Sequence, residues 1–319
     1  MKRAEGRTAD GLIGWTLRRL LLSVIVVFGA ATVTFATLQL TPGDPTYAVL
    51  NNPSPPPELV AHVRHDLGFD RPVADQYTRF LGRLATGDLG RSYQLDQPVW
   101  RVITAQLGST VELAAAGFVL ALGAAVVLAT ATAGRRPLVR RASAALELLS
   151  VSTPSFWTGI VLLTFLSFRL HLFPATGGTG PRGLALPAIT LALGIAGAYT
   201  QVLREGLERA LDEPFALNSR ARGSGETAVR LRHALRHALT PIVTMSGWTM
   251  GTLLTGAVIV ESVFSRQGLG RTLATAISGH DLPLVTGIVV LAAAAFTLLN
   301  IAVDLLYRIL DPRLREAAP

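Results

Sequence analysis

Six stretches of the chain are apolar over roughly the 20 residues that a helix needs to cross a bilayer core of about 30 Å. They lack the regular alternation with charged residues that is typical of a soluble helix. The pattern therefore predicts an all-α membrane protein with six transmembrane helices. The first stretch is longer than the apolar core of a signal peptide, and we expect it to be retained. The predicted spans are 20–40, 113–133, 146–168, 184–202, 242–263 and 284–306.

The basic residues predict which connections face the cytoplasm, because cytoplasmic connections carry an excess of Lys and Arg. One set of alternate connections, together with both termini, holds 19 of the 29 basic residues. Both termini are therefore predicted to be cytoplasmic. The predicted divisions are a cytoplasmic N-terminal segment at 1–19, a first span at 20–40, an external segment at 41–112, a transmembrane core at 113–306 that includes a cytoplasmic loop at 203–240, and a cytoplasmic tail at 307–319.

The composition excludes several classes of chemistry. The chain has no cysteine, so it has no disulfides, thiolate nucleophiles or cysteine-based metal sites. Lys2 is the only lysine, which leaves no lysine for a phosphate-binding G-x-x-x-x-G-K-[ST] loop. The net charge of +8 is spread between apolar runs and forms no single patch, which favours membrane topology over nucleic-acid binding. No catalytic constellation lies at membrane depth, and we expect neither an enzyme nor a cofactor in this chain.

The connection at 203–240 has a pattern of its own. Charged and apolar residues alternate at helical spacing over 203–212, which predicts that span four continues into the cytoplasm. A short helix after Pro214, a turn with positive φ at Gly223 and an arginine-rich helix from Arg230 are expected to follow. This pattern alone is typical of an amphipathic helix at the membrane surface.

The same connection resembles the EAA loop in permease subunits of ABC importers of the dipeptide, oligopeptide and nickel branch. The resemblance rests on Arg220-Ala-Arg-Gly223 and on Arg232-His-Ala-Leu-Arg236 with Pro241. The chain departs from the family pattern with Phe215 for tyrosine, Ser219 for alanine, Arg222 for lysine and Ser224 for an apolar residue. The similarity covers about residues 15–315, and further matching motifs are 41–45, 67–72, 87–92, 110–112, 154–156, 172–177, 261–264, 268–271, 304–307 and 311–313.

The resemblance implies a type I ABC importer permease fold in a bacterial inner membrane. It implies a second permease subunit, an external substrate-binding protein, and two cytosolic ATPase subunits, or one fused ATPase, that bind ATP and Mg. The loop at 203–240 would contain the coupling helix that docks on an ATPase. Arg220 and Arg222 could pair with ATPase carboxylates or with anionic headgroups. The implied ATPase-coupling residues are Phe215, Ser219, Arg220, Ala221, Arg222, Gly223 and Arg232.

Pro154 interrupts span three beside several hydroxyl groups. These hydroxyls could face a translocation path or could satisfy the backbone of a kinked helix. The candidate pore-lining residues are Ser152, Thr153, Pro154, Ser155, Met250 and Thr255.

A few ionisable residues near the spans require separate interpretation. Glu147 is expected at the membrane interface. Glu112 and Glu261 could line the pore mouth or cap a helix, and structural roles are favoured. His233 and His237 have a spacing that can hold zinc on a helix, but no third ligand is evident and no metal site is predicted.

Three functions remain open at the level of the sequence. The predicted pore lining is mostly small and apolar, with hydroxyls but few charges, which favours a peptide importer over an importer of nickel or a metal chelate. A passive channel or membrane scaffold is the alternative from a different class, and it would have no use for a docking loop.

Overall fold

A computed structural model describes residues 2–40, 45–50, 55–176 and 180–310 of the chain. These residues form helices and no extended strands, which confirms the all-α class. Two helices continue into π-helical segments, at Leu163–Arg169 and Val229–Ala234. The α-helices are α1 Lys2–Leu40, α2 Pro45–Leu50, α3 Pro57–Leu67, α4 Val73–Ala85, α5 Val99–Thr132, α6 Pro137–Ser152, α7 Ser155–Leu162, α8 Pro181–Leu211, α9 Pro214–Ala221, α10 Glu226–Ala228, α11 Leu235–Ala238, α12 Thr240–Val263, α13 Leu269–Ser278 and α14 Leu282–Leu310.

In the described part of the chain, four helices are long and apolar enough to cross a membrane, and the number rises to six if each of two bent helix pairs counts as one span. The four continuous candidates are Leu17–Thr37, Val99–Thr132, Pro181–Leu211 and Leu282–Val303. All six predicted apolar stretches therefore lie on helices, and two of them are bent.

Span three, predicted over 146–168 with an interruption at Pro154, is divided there. Its halves Pro137–Ser152 and Ser155–Arg169 meet at 103°. Thr153 has an extended backbone conformation, with φ −85° and ψ 125°, because the ring of the following proline disfavours the helical region. The second bent pair is α12, in which Thr240–Gly247 and Gly251–Val263 meet at 60°.

The helices belong to two compact units. The first consists of 1–107 and 272–301, and the second of 108–271 and 302–319. In the first unit, the apolar side of α4 packs on α1, where the rings of Phe35 and Phe80 stack at 5.4 Å and Tyr77 Oη lies 2.8 Å from Thr32 Oγ1. The buried carboxylate of Asp281 accepts hydrogen bonds from the segment at 92–94.

The second unit is organised around α8. Tyr199, Leu203 and Leu207 on this helix are fully buried, and 61% of its apolar window is buried. Helix α8 packs against α6, α7, α11 and α12. As predicted, it continues beyond span four, as far as Leu211.

Some predictions from the sequence concern groups outside the described residues. They are the motif residues at 41–44, Gly177, the motif at 311–313 and the side chain of Met250.

Candidate functional site

The residues at 214–238 form a helix, a turn and a second helix at the end of α8. Helix α9 begins at Pro214, a residue that suits the first helical turn because its missing N–H would have no partner there. Ala216 and Ser219 form the buried side of α9. The half-buried ring of Phe215 lies 4.9 Å from the ring of His237, which joins α9 to the second helix.

Gly223 provides the turn between the two helices. Its φ of +83° confirms the predicted left-handed conformation, which a side chain would strain. The Gly223 N–H donates to the Arg220 carbonyl at 2.9 Å, and the Ser224 N–H donates to the Ser219 carbonyl at 3.2 Å. These bonds satisfy the last carbonyls of α9, so the turn is a defined helix end.

Arg220 stabilises the turn from within the segment. Its Nε donates to Glu226 Oε1 at 2.7 Å, and its Nη1 donates to the Leu211 carbonyl at 3.2 Å. The hydrogen bond from Arg220 lowers the pKa of Glu226, and the same bond raises the pKa of Arg220. Arg220 is therefore held by its own chain.

Other predicted coupling residues are free to meet a partner. Ala221, Arg222 and Arg232 are exposed, and within the described part of the chain neither arginine forms an ion pair. Ser219 differs from them, because it is only 2% exposed and its side chain is covered by the segment itself.

Leu217 was not among the predicted coupling residues, and it lies on the exposed side of α9. Its side chain is 67% exposed, although it is a large aliphatic group on a short helix. With the exposed Ala221 and Arg222 it gives α9 an edge that carries both apolar and cationic groups. Its position opposite the buried Ser219 could have been found from the helical spacing of 217 and 219.

The segment is fixed to the membrane helices at two points. Helix α11 lies so close to α8 that a Cβ added at Gly206 would be 3.0 Å from the Cα of Ala238. The Arg230 Nη1 donates to the Thr130 carbonyl near the end of α5 at 3.2 Å. A displacement of the segment would therefore act directly on α8 and α5.

The predicted pore residues of span three lie together at the bend after α6. Ser152 and Pro154 are exposed, while Thr153 and Ser155 are half-buried. The Thr153 hydroxyl donates to the Leu149 carbonyl at 2.6 Å, and this carbonyl also accepts from the Thr153 N–H at 3.0 Å. Thr255 is exposed on α12.

Glu147, which the sequence predicts near the membrane interface, is buried inside the protein. It is 3% exposed and forms a two-pronged ion pair with Arg204 of α8, in which Nη2 lies 2.7 Å from Oε2 and Nη1 contacts Oε1. The Ser143 hydroxyl also donates to Glu147 Oε1, at 2.5 Å. Arg204 lies in the predicted cytoplasmic loop, and yet it is buried because α8 extends through this region.

Glu261 caps α13, as expected for a structural role. Its carboxylate is fully buried and accepts from the Gly270 N–H at 2.8 Å and the Arg271 N–H at 3.1 Å. Thr110 Oγ1 donates to the same carboxylate at 2.6 Å. Glu112 pairs with Arg266 at 2.6 Å.

His233 is half-buried, and His237 is exposed with its ring beside that of Phe215. Among the described residues there is no cluster of three His, Asp or Glu side chains that could hold a metal ion.

Comparisons with known proteins define the class of the chain. Residues 117–316 match the family model of the binding-protein-dependent transport system inner membrane component, and residues 12–114 match the N-terminal model of the same membrane component. The chain therefore belongs to the family of binding-protein-dependent transport system inner membrane components. Members are multi-pass membrane components of transport systems and are not enzymes.

Curated relatives align over nearly the whole length of the chain. A putative peptide transport system permease protein of Brucella abortus is 34% identical, with 94% of this chain and 98% of the relative covered. The di/tripeptide transport system permease protein DppB of Pseudomonas aeruginosa is 33% identical, with 96% and 99% covered. The dipeptide transport system permease protein DppB of Escherichia coli is 31% identical with the same coverage.

Proposed function

We propose that this chain is a permease subunit of an ABC importer for peptides. Two homologous permease subunits form the translocation path, each with a type I fold of six spans, and this chain supplies half of it. Two cytosolic ATPase subunits, or one fused ATPase, bind ATP and Mg, and an extracytoplasmic binding protein delivers the peptide. The names of the relatives support the choice of peptide over nickel or a metal chelate.

The observation that carries this proposal is the exposed edge of α9 at 217–222, on a segment fixed to α8. Leu217 provides an apolar contact and Arg222 a cation that is not neutralised by a described carboxylate. A matching surface on an ATPase would bind this edge and would transmit its motion to the membrane helices. In this arrangement the segment and both termini lie in the cytoplasm.

Site-directed exchange of charge tests the coupling. The complete importer is reconstituted in liposomes with wild-type chain, with Arg222→Glu, or with Arg101→Glu as a control at an exposed arginine of α5. We expect ATP-dependent uptake of labelled peptide with the wild-type chain and the control, and loss of uptake with Arg222→Glu at an unchanged amount of folded permease.

The alternatives give different results in the same assay. Peptide flux that needs neither ATP nor Arg222 would indicate a passive channel. Uptake of nickel or a metal chelate, without uptake of peptide, would be compatible with the proposed coupling to an ATPase but would show that the substrate is not a peptide.

A further inference from the structure

The ion pair between Glu147 and Arg204 joins two helices that the sequence separates by 57 residues. Both groups are nearly completely buried, at 3% and 8% exposure. A charge buried away from water is costly when it is alone, and removal of one partner of a buried pair is strongly destabilising. Neither group belongs to the docking edge or to the predicted pore.

The backbones of α6 and α8 are also in direct contact beside this pair. A Cβ added at Gly197 would be 2.7 Å from the Glu147 carbonyl oxygen, so any larger residue would push the helices apart. The Ser150 hydroxyl donates to the Leu193 carbonyl of α8. The charged pair thus lies on a stretch of contact in which small and polar side chains, and few large apolar ones, join the helices.

This contact lies between the docking segment and the bend of span three. At its carboxyl-terminal end, α8 is held against α11 through Gly206 and Ala238. Helix α6 ends at Ser152, where the chain turns by 103° into α7. A motion of the segment at 214–238 that displaces α8 reaches one side of the bend through α7, which also packs against α8, and the other side as far as α6 follows α8.

We propose that Glu147 and Arg204 form a clamp that makes α6 move with α8, so that displacement of the docking segment is transmitted to the bend at Pro154. Both are positioning residues and do not contact the transported solute. This inference rests on the proposed function, since it describes how docking of an ATPase would act on the membrane helices.

The chemistry of the pair suits this task. Apolar side chains gain little by meeting each other in a bilayer, because lipid tails are equally apolar. Separation of Glu147 from Arg204 would instead expose two charges to an apolar surrounding. The pair therefore resists sliding or separation of the two helices, which an apolar contact of the same size would permit.

The test separates this role from a merely structural one. Replacement of both charges by apolar groups of similar length often preserves stability, because no unpaired charge remains. The double variant Glu147→Met with Arg204→Met is therefore expected to fold and to assemble with its ATPases. We expect its ratio of peptide imported to ATP hydrolysed to fall by about tenfold relative to wild type.

A disulfide between α6 and α8 tests whether a covalent link restores coupling. Only the introduced cysteines can form it, because the chain has no cysteine of its own. Ser150→Cys and Leu193→Cys are introduced into the double Met variant and oxidised to join α6 and α8 covalently. We expect the oxidised protein to recover the wild-type ratio and the reduced protein to remain uncoupled.

The outcomes are distinguishable. If the wild-type complex does not import peptide with ATP, the proposed function fails and the clamp loses its basis. If the wild type imports peptide and the double Met variant keeps the full ratio, the clamp is refuted. The same disulfide can also be formed in the otherwise wild-type chain, so this test does not depend on the folding of the double Met variant. Loss of import there would show that α6 and α8 must slide past each other, and this result would also refute the clamp.

Discussion

Two buried carboxylates in the second unit, Glu147 and Glu261, are satisfied in different ways. Glu261 accepts from two backbone N–H groups and one hydroxyl, and two of these donors lie only nine and ten residues further along the chain. Glu147 depends on the guanidinium of Arg204, with the Ser143 hydroxyl as a further donor. The first arrangement fixes a local turn, whereas the second joins two separate helices.

The difference shows what each carboxylate can do. The partners of Glu261 are fixed by the backbone of the turn before α13, so this carboxylate stabilises a static element. The partner of Glu147 is a long side chain on another helix, and it transmits force between helices. Each of the predictions below tests this contrast, beginning with the largest effect.

The largest effect is expected when one member of the ion pair is removed. Arg204→Met leaves Glu147 buried without a cation, which typically costs 3–5 kcal/mol, on the order of half of the stability of a small domain. We expect a large loss in the free energy of unfolding, measured by Trp fluorescence in detergent. The double variant with Glu147→Met serves as the control and should recover most of the loss, and equal destabilisation of both variants would contradict the ion pair.

Glu261→Gln should lower the free energy of unfolding by less than Arg204→Met does. No substitution at a second site should restore the stability that it loses. The amide of Gln keeps one acceptor oxygen but presents an N–H₂ group to donors that are mostly fixed backbone groups, for a cost of about 1–3 kcal/mol. The same unfolding measurement compares it with Glu261→Asp, which keeps the charge. A second-site substitution that fully rescues Glu261→Gln would break the contrast.

The single hydroxyl donors provide a finer comparison. Ser143→Ala leaves Glu147 with both guanidinium bonds and should cost about 1 kcal/mol. Arg204 Nη1, which also donates to the Ser143 hydroxyl at 3.2 Å, keeps Glu147 Oε1 as an acceptor. Thr110→Val should cost more, because Thr110 Oγ1 also accepts from the Leu269 N–H at 2.8 Å, and this N–H would lose its acceptor. Equal costs in unfolding experiments would mean that the two hydroxyls have the same role.

The smallest effect belongs to an exposed carboxylate, Glu226, which is paired with Arg220. Its folded pKa is lowered below the ordinary value of 4.5 by the hydrogen bond from Arg220, so its contribution is present above pH 4.5 and is lost as the pH falls through the lowered pKa. We expect Glu226→Gln to reduce hydrogen-exchange protection of the turn at neutral pH, and the variant and wild type to converge in acid. Added salt should diminish the difference, unlike the effect at Glu147, because the pair is open to solvent.

The sequence was most informative where the partners are close along the chain. Gly223 and the cap by Glu261 were predicted, because a turn and a helix start are specified by a few neighbouring residues. Pro154 predicted a break in span three, but its 103° angle depends on packing with α8 and α12, which no local pattern encodes. The pair of Glu147 with Arg204 was missed for the same reason.

Burial of the spans could not be predicted from hydropathy either. The apolar windows of α1 and α8 are both long enough to cross a bilayer, but 6% of the first and 61% of the second are buried. A lipid-facing side chain and a core side chain are equally apolar, so the sequence does not distinguish them. Within the short helix α9, the exposure of Leu217 and the burial of Ser219 were likewise not predicted.

The central claim is that the exposed edge of α9 binds an ATPase subunit, and photo-crosslinking tests it most directly. Leu217→Cys is labelled with a maleimide photo-crosslinker on the permease before the ATPase subunits are added, with Arg101→Cys as an exposed control and Ser219→Cys as a buried control on the same helix. The account predicts an adduct of this chain with an ATPase subunit from position 217, none from position 101, and little labelling at position 219. An active complex that gives no ATPase adduct from position 217, or an equal yield from position 101, would contradict it.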